Sequence, residues 1–437
     1  SSSSHLPFAA DEGQETTSRC LSPFPILHYS MANNDALFFE RLMTAVRVHP
    51  VVILTGSIEN GRIREIIQHL SGYARGSIVA YTRTRNVCSF AGDFANERDL
   101  DVGGVIGCTT LLGNRSGVTS EIRFFSDGFL LFEALDDRAL RGYDVFVLDQ
   151  VCERTLATDI CIGYLKWLLY TRPEVRLVLM GVGNYVGVLR HYFANTTVIS
   201  AGPPSLDLNS QKGPPLMKVA NIASVCLLLM MLERSPLYFD YLDEPPKESL
   251  DKAKQNLLNL RAITEGWVIT DLGRRLARLP LSPEMGNLLL TSSQYNCCPE
   301  MLTICSMMAV SGKFVNPTND LLMDLFDYLV LLKLEAAFQK SAGTKLPSLL
   351  DDTGFSSMDS LVEALRAASE AKTMLSNILT GMEVEVVRTN DQQHPHISLT
   401  KALIEGKSNV NKNLVAGYAG LQETWPPNPF WSCEELP

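Results

Sequence analysis

Residues 143–149 place the strongest constraint on what this chain can fold into. Residues 145–148 read Val-Phe-Val-Leu, a continuous apolar run, and Asp149 follows directly. A short apolar run that ends in an acid is typical of a parallel strand buried on both faces. Open α/β sheets bind their ligands at the carboxyl edge of such strands. The pattern therefore predicts a buried parallel strand that delivers Asp149 to the ligand-binding edge of a sheet.

A pair of glycines behind another apolar stretch adds a second constraint. Residues 51–54, Val-Val-Ile-Leu, predict a strand, and Gly56 and Gly61 follow it at the spacing of a phosphate-binding P-loop. Such a loop needs a Lys for the β- and γ-phosphates and a hydroxyl group for Mg²⁺. This chain has Arg62 and Ile63 at those two places, and an Ile side chain cannot ligate a metal. The motif indicates P-loop ancestry, but it predicts that ATP is not usefully bound or hydrolysed.

Charge and cysteine content narrow the function classes. The chain has 437 residues and a net charge of −10, whereas an RNA-binding surface needs clustered Lys and Arg. We therefore expect weak or no binding of nucleic acid. The ten cysteines include no Cys-x-x-Cys pair, which indicates reduced thiols rather than a disulfide framework or a zinc site.

The sequence shows neither a membrane span nor a secretion signal. The longest apolar run, near residues 225–232, is too short to cross a bilayer. The N-terminus lacks a basic region followed by an apolar core. We expect no membrane association and an intracellular location, in the cytoplasm or the nucleus.

The segment around Asp149 carries a family resemblance. Residues 149–155, Asp-Gln-Val-Cys-Glu-Arg-Thr, resemble the Asp-Glu-Ala-His-Glu-Arg-Thr signature of the DEAH-box RNA helicases. In that family the Glu positions the attacking water, and here it is Gln150, while the His is Cys152. Residues 181–183 are Gly-Val-Gly, where the family has the Ser-Ala-Thr that couples ATP hydrolysis to unwinding. The resemblance implies the helicase fold, and the replacements imply that its chemistry is lost.

Two further segments resemble RNA-contacting motifs of the family. Residues 82–86, Thr-Arg-Thr-Arg-Asn, are similar to its Thr-Gln-Pro-Arg-Arg motif and retain Arg83 and Arg85. A solvated loop explains this stretch equally well. Residues 126–128, Ser-Asp-Gly, stand where the family has Thr-Asp-Gly and contribute Asp127.

The resemblance implies an α/β plus α architecture, with a P-loop-type parallel RecA-like sheet followed by winged-helix and helical ratchet domains. The family's second RecA-like domain has no counterpart here, because winged-helix-like sequence begins soon after the first domain. We predict a strand at 382–387 near the C-terminus. The predicted units are a polar tail 1–23, a RecA-like domain with a degenerate P-loop 24–203, a linker 204–216 replacing the second RecA-like domain, a winged-helix-like domain 217–283, a ratchet-like domain 284–380, and an eroded OB-fold remnant with a Pro-rich tail 381–437.

Three function classes remain after these exclusions. The chain could be a pseudo-helicase that acts as a scaffold or regulator in a ribonucleoprotein or protein complex. It could also be a fold recruited for small-molecule chemistry, or a residual RNA binder, which the negative charge disfavours. Losing a whole domain would uncover a concave apolar surface, and such surfaces bind ligands or partners. We therefore favour chemistry without nucleotide, cofactor or metal, such as an intramolecular cyclisation of the pericyclic, Diels–Alder type, an isomerisation or a dehydration in specialised metabolism.

The candidate site follows from the same cleft. Its partner would be a small organic ligand, or a protein if the scaffold hypothesis holds. If the chain is an enzyme, it is a cofactor-free cyclase, isomerase or lyase, and no residue pattern predicts a metal site. The candidate catalytic residues are Asp149, Arg83, Arg85, Asp127, Gln150 and Cys152, and the degenerate P-loop comprises Gly56, Gly61, Arg62 and Ile63.

Overall fold

The computed structural model describes residues 33–74, 78–83, 86–117, 119–203, 214–310, 325–340, 357–386 and residue 402. The N-terminal part is built on one eight-stranded sheet. Its strands are β1 Val51–Thr55, β2 Ile78–Arg83, β3 Ile106–Thr110, β4 Gly113–Arg115, β5 Ile122–Ser126, β6 Tyr143–Leu148, β7 Arg176–Leu179 and β8 Thr196–Ser200. They lie in the order β4-β3-β5-β2-β6-β7-β1-β8, and every neighbouring pair is parallel except β3 and β4.

Helices cover both faces of this sheet. The helices of this part are α1 Asn33–Val48, α2 Asn60–Ala74, α3 Val87–Asn96, α4 Asp127–Asp136, α5 Leu156–Thr171 and α6 Val186–Tyr192. Val52 and Leu54 of β1 pack with α1, α2 and α3, whereas Ile53 packs on the opposite face with α4 and α5. Successive side chains of a strand point to opposite faces of the sheet. A strand with helices packed on both faces therefore needs apolar residues at successive positions.

The C-terminal part is helical. Its helices are α7 Ala223–Met231, α8 Lys247–Asn259, α9 Asp271–Ala277, α10 Pro283–Ser292, α11 Cys298–Val310, α12 Leu325–Lys340 and α13 Met358–Gly381. The start of α10 is encoded locally, since the Ser282 side chain accepts a hydrogen bond from the Met285 N–H and Pro283 occupies the first turn. Helix α11 packs against α10, α12 and α13. The apolar core of these helices is continuous with the core under α4 and α5, so the helical part rests on one face of the sheet.

The observed elements agree with the sequence in the sheet and differ near the C-terminus. The predicted strand at 51–54 is β1, and the apolar run at 145–148 lies within β6. The strand predicted at 382–387 is not formed where the structure describes it, because residues 382 and 383 make a turn after α13 and residues 384–386 have no regular structure. A strand satisfies its backbone only by pairing with another strand, and the described residues offer this segment none.

Several predicted units lie partly or wholly outside the described residues. Outside the described residues lie the polar tail, residues 24–32, 75–77, 84–85 and 118 of the RecA-like unit, 204–213 of the linker, 311–324 and 341–356 of the ratchet-like unit, and the OB-fold remnant from residue 387 onward apart from residue 402. The domain boundaries given above therefore stay predictions. In the described ranges, no helix combines the length and the apolar character that crossing a membrane requires.

A buried arginine joins the sheet to the helical part. Arg154, with a side chain that is 1% exposed, donates from Nε and Nη2 to the two carboxylate oxygens of Asp159 at 2.7 and 2.8 Å. Nη2 of Arg154 also lies 2.5 Å from Oδ2 of Asp243. Oδ1 of Asp243 lies 3.1 Å from Nζ of Lys218. Asp159 belongs to α5, whereas Lys218 and Asp243 flank α7. The ion pairs therefore bind the chain around α7 to the end of the sheet that carries the motif at 149–155.

The protonation of Asp243 is coupled to this network. Burial acts to raise the pKa of Asp243, but hydrogen bonds from Arg154 and Lys218 outweigh it and hold the pKa below its usual value. A carboxyl group with a lower pKa in the folded state stabilises the fold above its unfolded pKa of about 4. That contribution is lost as the pH falls through the lower, folded pKa. The junction should therefore weaken in acid rather than in base.

We expect Asp243→Asn to lower the free energy of unfolding by about 1–3 kcal/mol at neutral pH, because it removes a charged partner from a buried arginine. Urea denaturation of both proteins measures the difference. The difference should begin to shrink below about pH 4, where Asp243 of the unfolded wild type becomes protonated, and should disappear below the lower pKa of the folded protein.

Asp240→Asn is the matched control. Asp240 pairs with Lys166 at 2.6 Å, but its side chain is 61% exposed. This substitution should change stability by no more than about 0.5 kcal/mol. Equal effects of the two substitutions, or a difference that does not depend on pH, would contradict the assigned role of Asp243.

Candidate functional site

Asp149 lies at the carboxyl end of β6 and is almost fully buried. Its residue exposure is 6%. The Tyr81 hydroxyl donates to Oδ2 at 2.7 Å, and the Gln150 N–H donates to Oδ1 at 2.8 Å. Both carboxylate oxygens therefore already accept hydrogen bonds from the protein.

Arg83 approaches the same carboxylate from the end of the neighbouring strand β2. Its Nε lies 3.7 Å from Oδ2 of Asp149. Its two terminal nitrogens donate to Oδ1 of Asn60 at 3.2 Å, and its guanidinium lies 4.8 Å from the centre of the Phe90 ring. Arg83 is thus held by an acid, an amide and an aromatic ring. Arg85, the other arginine of the predicted motif, lies outside the described residues.

The sequence did not single out Tyr81, although it is the closest partner of Asp149. Its side chain is fully buried and stacks on Phe90 with ring centres 5.3 Å apart. Burial, followed by the negative charge of Asp149, raises the pKa of the Tyr81 hydroxyl well above its usual value. Tyr81 therefore stays protonated and acts as a hydrogen-bond donor. The available signal was a Tyr at the end of the apolar stretch of residues 78–81, where a buried hydroxyl group needs a partner.

Asp127 contacts different residues from those that Asp149 contacts. It is the first residue of α4, and its Oδ2 accepts hydrogen bonds from the hydroxyls of Thr155 and Thr158 at 2.6 and 2.8 Å. Thr155 caps α5, so Asp127 joins the N-terminal ends of two helices. Burial raises the pKa of Asp127, and the hydrogen bonds from the two threonines oppose that rise. The side chain is placed to connect helices rather than to meet the Tyr81–Asp149 pair.

Gln150 and Cys152 lie in a tight turn that packs on the loop after β7. Gln150 has a left-handed backbone with φ 55°, and the N–H of Cys152 donates to the carbonyl of Gly181 at 2.8 Å. Gly181 is itself left-handed, and a Cβ there would stand 2.8 Å from the Gln150 backbone nitrogen. The glycine that replaces the first residue of the family's Ser-Ala-Thr thus lets the two loops touch.

The loop that resembles a phosphate cradle is filled by the protein's own backbone. The Ser57 N–H donates to the carbonyl of Pro203 at 2.8 Å. Gly56 has φ +95°, and any Cβ there would collide with the carbonyl oxygens of Gly202 and Pro203. A P-loop binds phosphate through free backbone N–H groups. In this structure the N–H of Ser57, directly after the first glycine of the loop, is taken up by a carbonyl oxygen of the same chain.

The remaining loop residues also point away from a phosphate. Arg62 donates to Oδ1 of Asp35 in α1 at 2.7 Å, and its guanidinium lies 4.3 Å from the centre of the Phe38 ring. Ile63 is 3% exposed and belongs to the core between the sheet and α2. Gly61 has open space around it, so no close approach requires a glycine there.

Open space near this loop lies on its outer side, between α1 and β8. One cleft of about 540 Å³ is lined by residues that include Arg41, Arg62 and Gly202. A second, of about 490 Å³, continues along α1 past Arg41 to His49. Within the described residues, no group of three or more His, Cys, Asp or Glu side chains is placed to hold a metal ion. The clefts therefore border the candidate site without containing Asp149.

Comparison with known proteins finds a matching domain model and a partly similar helicase. Residues 282–341 match the family model described as Helicase associated domain (HA2), ratchet-like. That range covers α10, α11 and α12. The ATP-dependent RNA helicase HrpA of Escherichia coli strain K12 is 28% identical to this chain over 164 residues.

The match to HrpA is partial on both sides. It covers 37% of this chain and 13% of HrpA, so most of the length of that helicase has no counterpart in the alignment. The first comparison names a helicase-associated domain and the second an RNA helicase, so both indicate the same class of protein. The chain is therefore a helicase-related protein with a mixed α/β sheet and a helicase-associated, ratchet-like helical region.

Proposed function

We propose that this chain is a helicase-derived protein that neither hydrolyses ATP nor unwinds RNA, and that it acts as a scaffold or regulator in a protein or ribonucleoprotein complex. The hydrogen bond from the Ser57 N–H to the Pro203 carbonyl carries the proposal, because it ties the start of the P-loop-like segment to residues 202–203 of the same chain. Arg62 and Ile63 replace the Lys and the hydroxyl residue of the motif, and both replacements agree with a segment that no longer binds phosphate.

The state of Asp149 supports the same function. In the DEAH-box resemblance this acid belongs to the nucleotide site. Here its oxygens accept hydrogen bonds from Tyr81 and Gln150, with Arg83 nearby. A buried acid whose oxygens are satisfied stabilises the fold and has little left to offer a ligand.

A reduced set of domains would also fit a scaffold. After β8, the described chain resumes at residue 214 and soon reaches α7. We interpret the sheet as a single RecA-like domain, residues 217–283 as winged-helix-like, and the second RecA-like domain as missing. In the DEAH-box helicases that this chain resembles, ATP-driven movement requires both RecA-like domains. Loss of the second domain would therefore remove motor function whatever the state of the P-loop-like segment.

Small-molecule chemistry, which the sequence alone favoured, remains a prediction with less support. Neither of the two described clefts is lined by Asp149, Arg83 or Asp127. Asp149 and Arg83 are paired, Asp127 connects α4 and α5, and the described clefts lie between α1 and β8. A catalytic group must reach its substrate within hydrogen-bonding distance. The geometry therefore supports a structural use of these side chains better than a catalytic one.

The first prediction concerns ATP. We expect calorimetry with ATP and Mg²⁺ to detect no binding in the micromolar range, because the Ser57 N–H is already bonded to Pro203. The double substitution Arg62→Lys with Ile63→Thr restores the motif side chains but leaves that bond in place, so it should not restore binding. Thermal melting verifies that this variant is folded.

Two outcomes of the ATP experiment would contradict the proposed closure of the loop. Micromolar binding by the wild type would refute the proposed function. Binding by the double variant alone would show that the side chains, not the backbone of residues 202–203, close the loop.

The second prediction separates a structural from a catalytic Asp149. We expect Tyr81→Phe and Asp149→Asn each to lower the free energy of unfolding by about 1–3 kcal/mol, because each breaks a buried hydrogen bond to a charged group. Because they act on one bond, the double variant should lose less than the sum of the two.

Tyr73→Phe is the control for this experiment. Tyr73 is half-buried in α2, and its loss should cost less than about 0.5 kcal/mol. Unchanged stability in both Tyr81→Phe and Asp149→Asn would reopen the small-molecule hypothesis.

The third prediction concerns RNA. With a net charge of −10, the chain should bind single-stranded RNA only weakly, because affinity for the phosphate backbone needs clustered positive charge. A mobility-shift titration at physiological salt measures this affinity. A sub-micromolar complex under those conditions would contradict the charge argument and favour residual RNA binding.

A further inference from the structure

Two cysteines outside the candidate site lie in direct contact. Sγ of Cys88, in the first turn of α3, lies 3.4 Å from Sγ of Cys108 in β3. Both thiols are reduced, Cys88 is half-buried and Cys108 is buried. A disulfide bond measures about 2.05 Å, so the sulfurs need to move little more than an ångström to form one.

The surroundings of Cys88 suit it to react first. Its Sγ lies 3.6 Å from the Thr110 hydroxyl, and that hydroxyl oxygen already accepts the N–H of Leu112 at 3.1 Å. The hydroxyl hydrogen is therefore available to the sulfur. The backbone N–H groups at the start of α3 also stabilise negative charge on a side chain of the first turn. Cys88 is the more exposed of the pair, so it is the sulfur that a dissolved oxidant can reach.

We propose that Cys88 and Cys108 form a site of reversible oxidation that takes a low-molecular-weight disulfide, such as glutathione disulfide, as its oxidant. The thiolate of Cys88 attacks one sulfur of the oxidant, forming a mixed disulfide and releasing one thiolate, which takes up a proton. Cys108, having lost its proton to solvent, attacks the Cys88 sulfur and displaces the second thiolate. Two protein thiols are oxidised to one disulfide, and one small disulfide is reduced to two thiols.

The disulfide would restrain residues that pack around the Tyr81–Asp149 pair. Cys88 lies two residues before Phe90, whose ring stacks on Tyr81 and packs beneath Arg83. Linking Cys88 to β3 fixes the first turn of α3 against the sheet. Oxidation would therefore restrict the residues that hold Asp149 in place.

Peptide mapping of the intact chain tests the proposal. The native protein is incubated with a hundredfold excess of glutathione disulfide, alkylated, denatured and digested with trypsin without reductant. Cleavage after Arg85, Arg98 and Arg115 places Cys88 in the peptide 86–98 and Cys108 in 99–115. We expect these peptides to appear joined, two hydrogens lighter than their sum, and to separate on reduction.

Substitutions and melting give independent readouts. The joined peptide should be absent from Cys88→Ser and retained in Cys152→Ser, whose cysteine is also half-buried. The oxidised wild type should melt roughly 5 °C higher than the reduced protein, because the bond closes a loop of about 20 residues. Oxidation that leaves the two peptides separate in the wild type, whether Cys88 is unmodified or carries only glutathione, would overturn the proposal.

Discussion

The structure depends on keeping a buried positive charge paired where the sheet meets the helical part. Arg154 is almost completely enclosed, and its guanidinium is neutralised by Asp159 from α5 and Asp243 from beyond α7. Burial works to lower the pKa of Arg154, but these two carboxylates more than reverse it, so the side chain stays charged. An unpaired charge at this depth costs several kcal/mol. Because its partners come from both parts of the chain, Arg154 constrains how those parts meet.

The polar groups of the candidate site have partners within the chain, and this shapes the site in addition to the replacement of motif residues. Residues 56–57 and 202–203 come together so closely that a backbone carbonyl bonds the Ser57 N–H. Asp149 bonds Tyr81 and Gln150, and Arg62 pairs with Asp35 of α1. These groups have partners within the chain, and such partners lower the cost of burying polar atoms. The contacts therefore stabilise the fold.

The parts of the fold that local sequence pattern encodes could be predicted well. The apolar runs behind β1 and β6, the acid after β6 and the cap of α10 are all visible in neighbouring residues. The strand predicted at 382–387 is not formed in the described residues 382–386, because a stretch of alternating apolar and acidic residues forms a strand only beside a partner. A local pattern does not contain that information. Tyr81 was missed as the partner of Asp149 for a related reason, since the two residues are 68 positions apart.

The sequence by itself determined that the chain builds a mixed α/β sheet with helicase-like motifs, and that Ile63 and Gln150 lack the hydroxyl and the acid of those motifs. Side-chain chemistry is a local property, so a replaced hydroxyl or acid can be recognised without coordinates. The tertiary structure alone decided what the retained residues do. Whether Asp149 faces a ligand or a tyrosine, and whether the loop at Gly56 is open or filled by Pro203, depends on the order of strands and the path of distant segments. Those are set by the packing of the whole core, which no short stretch of sequence encodes.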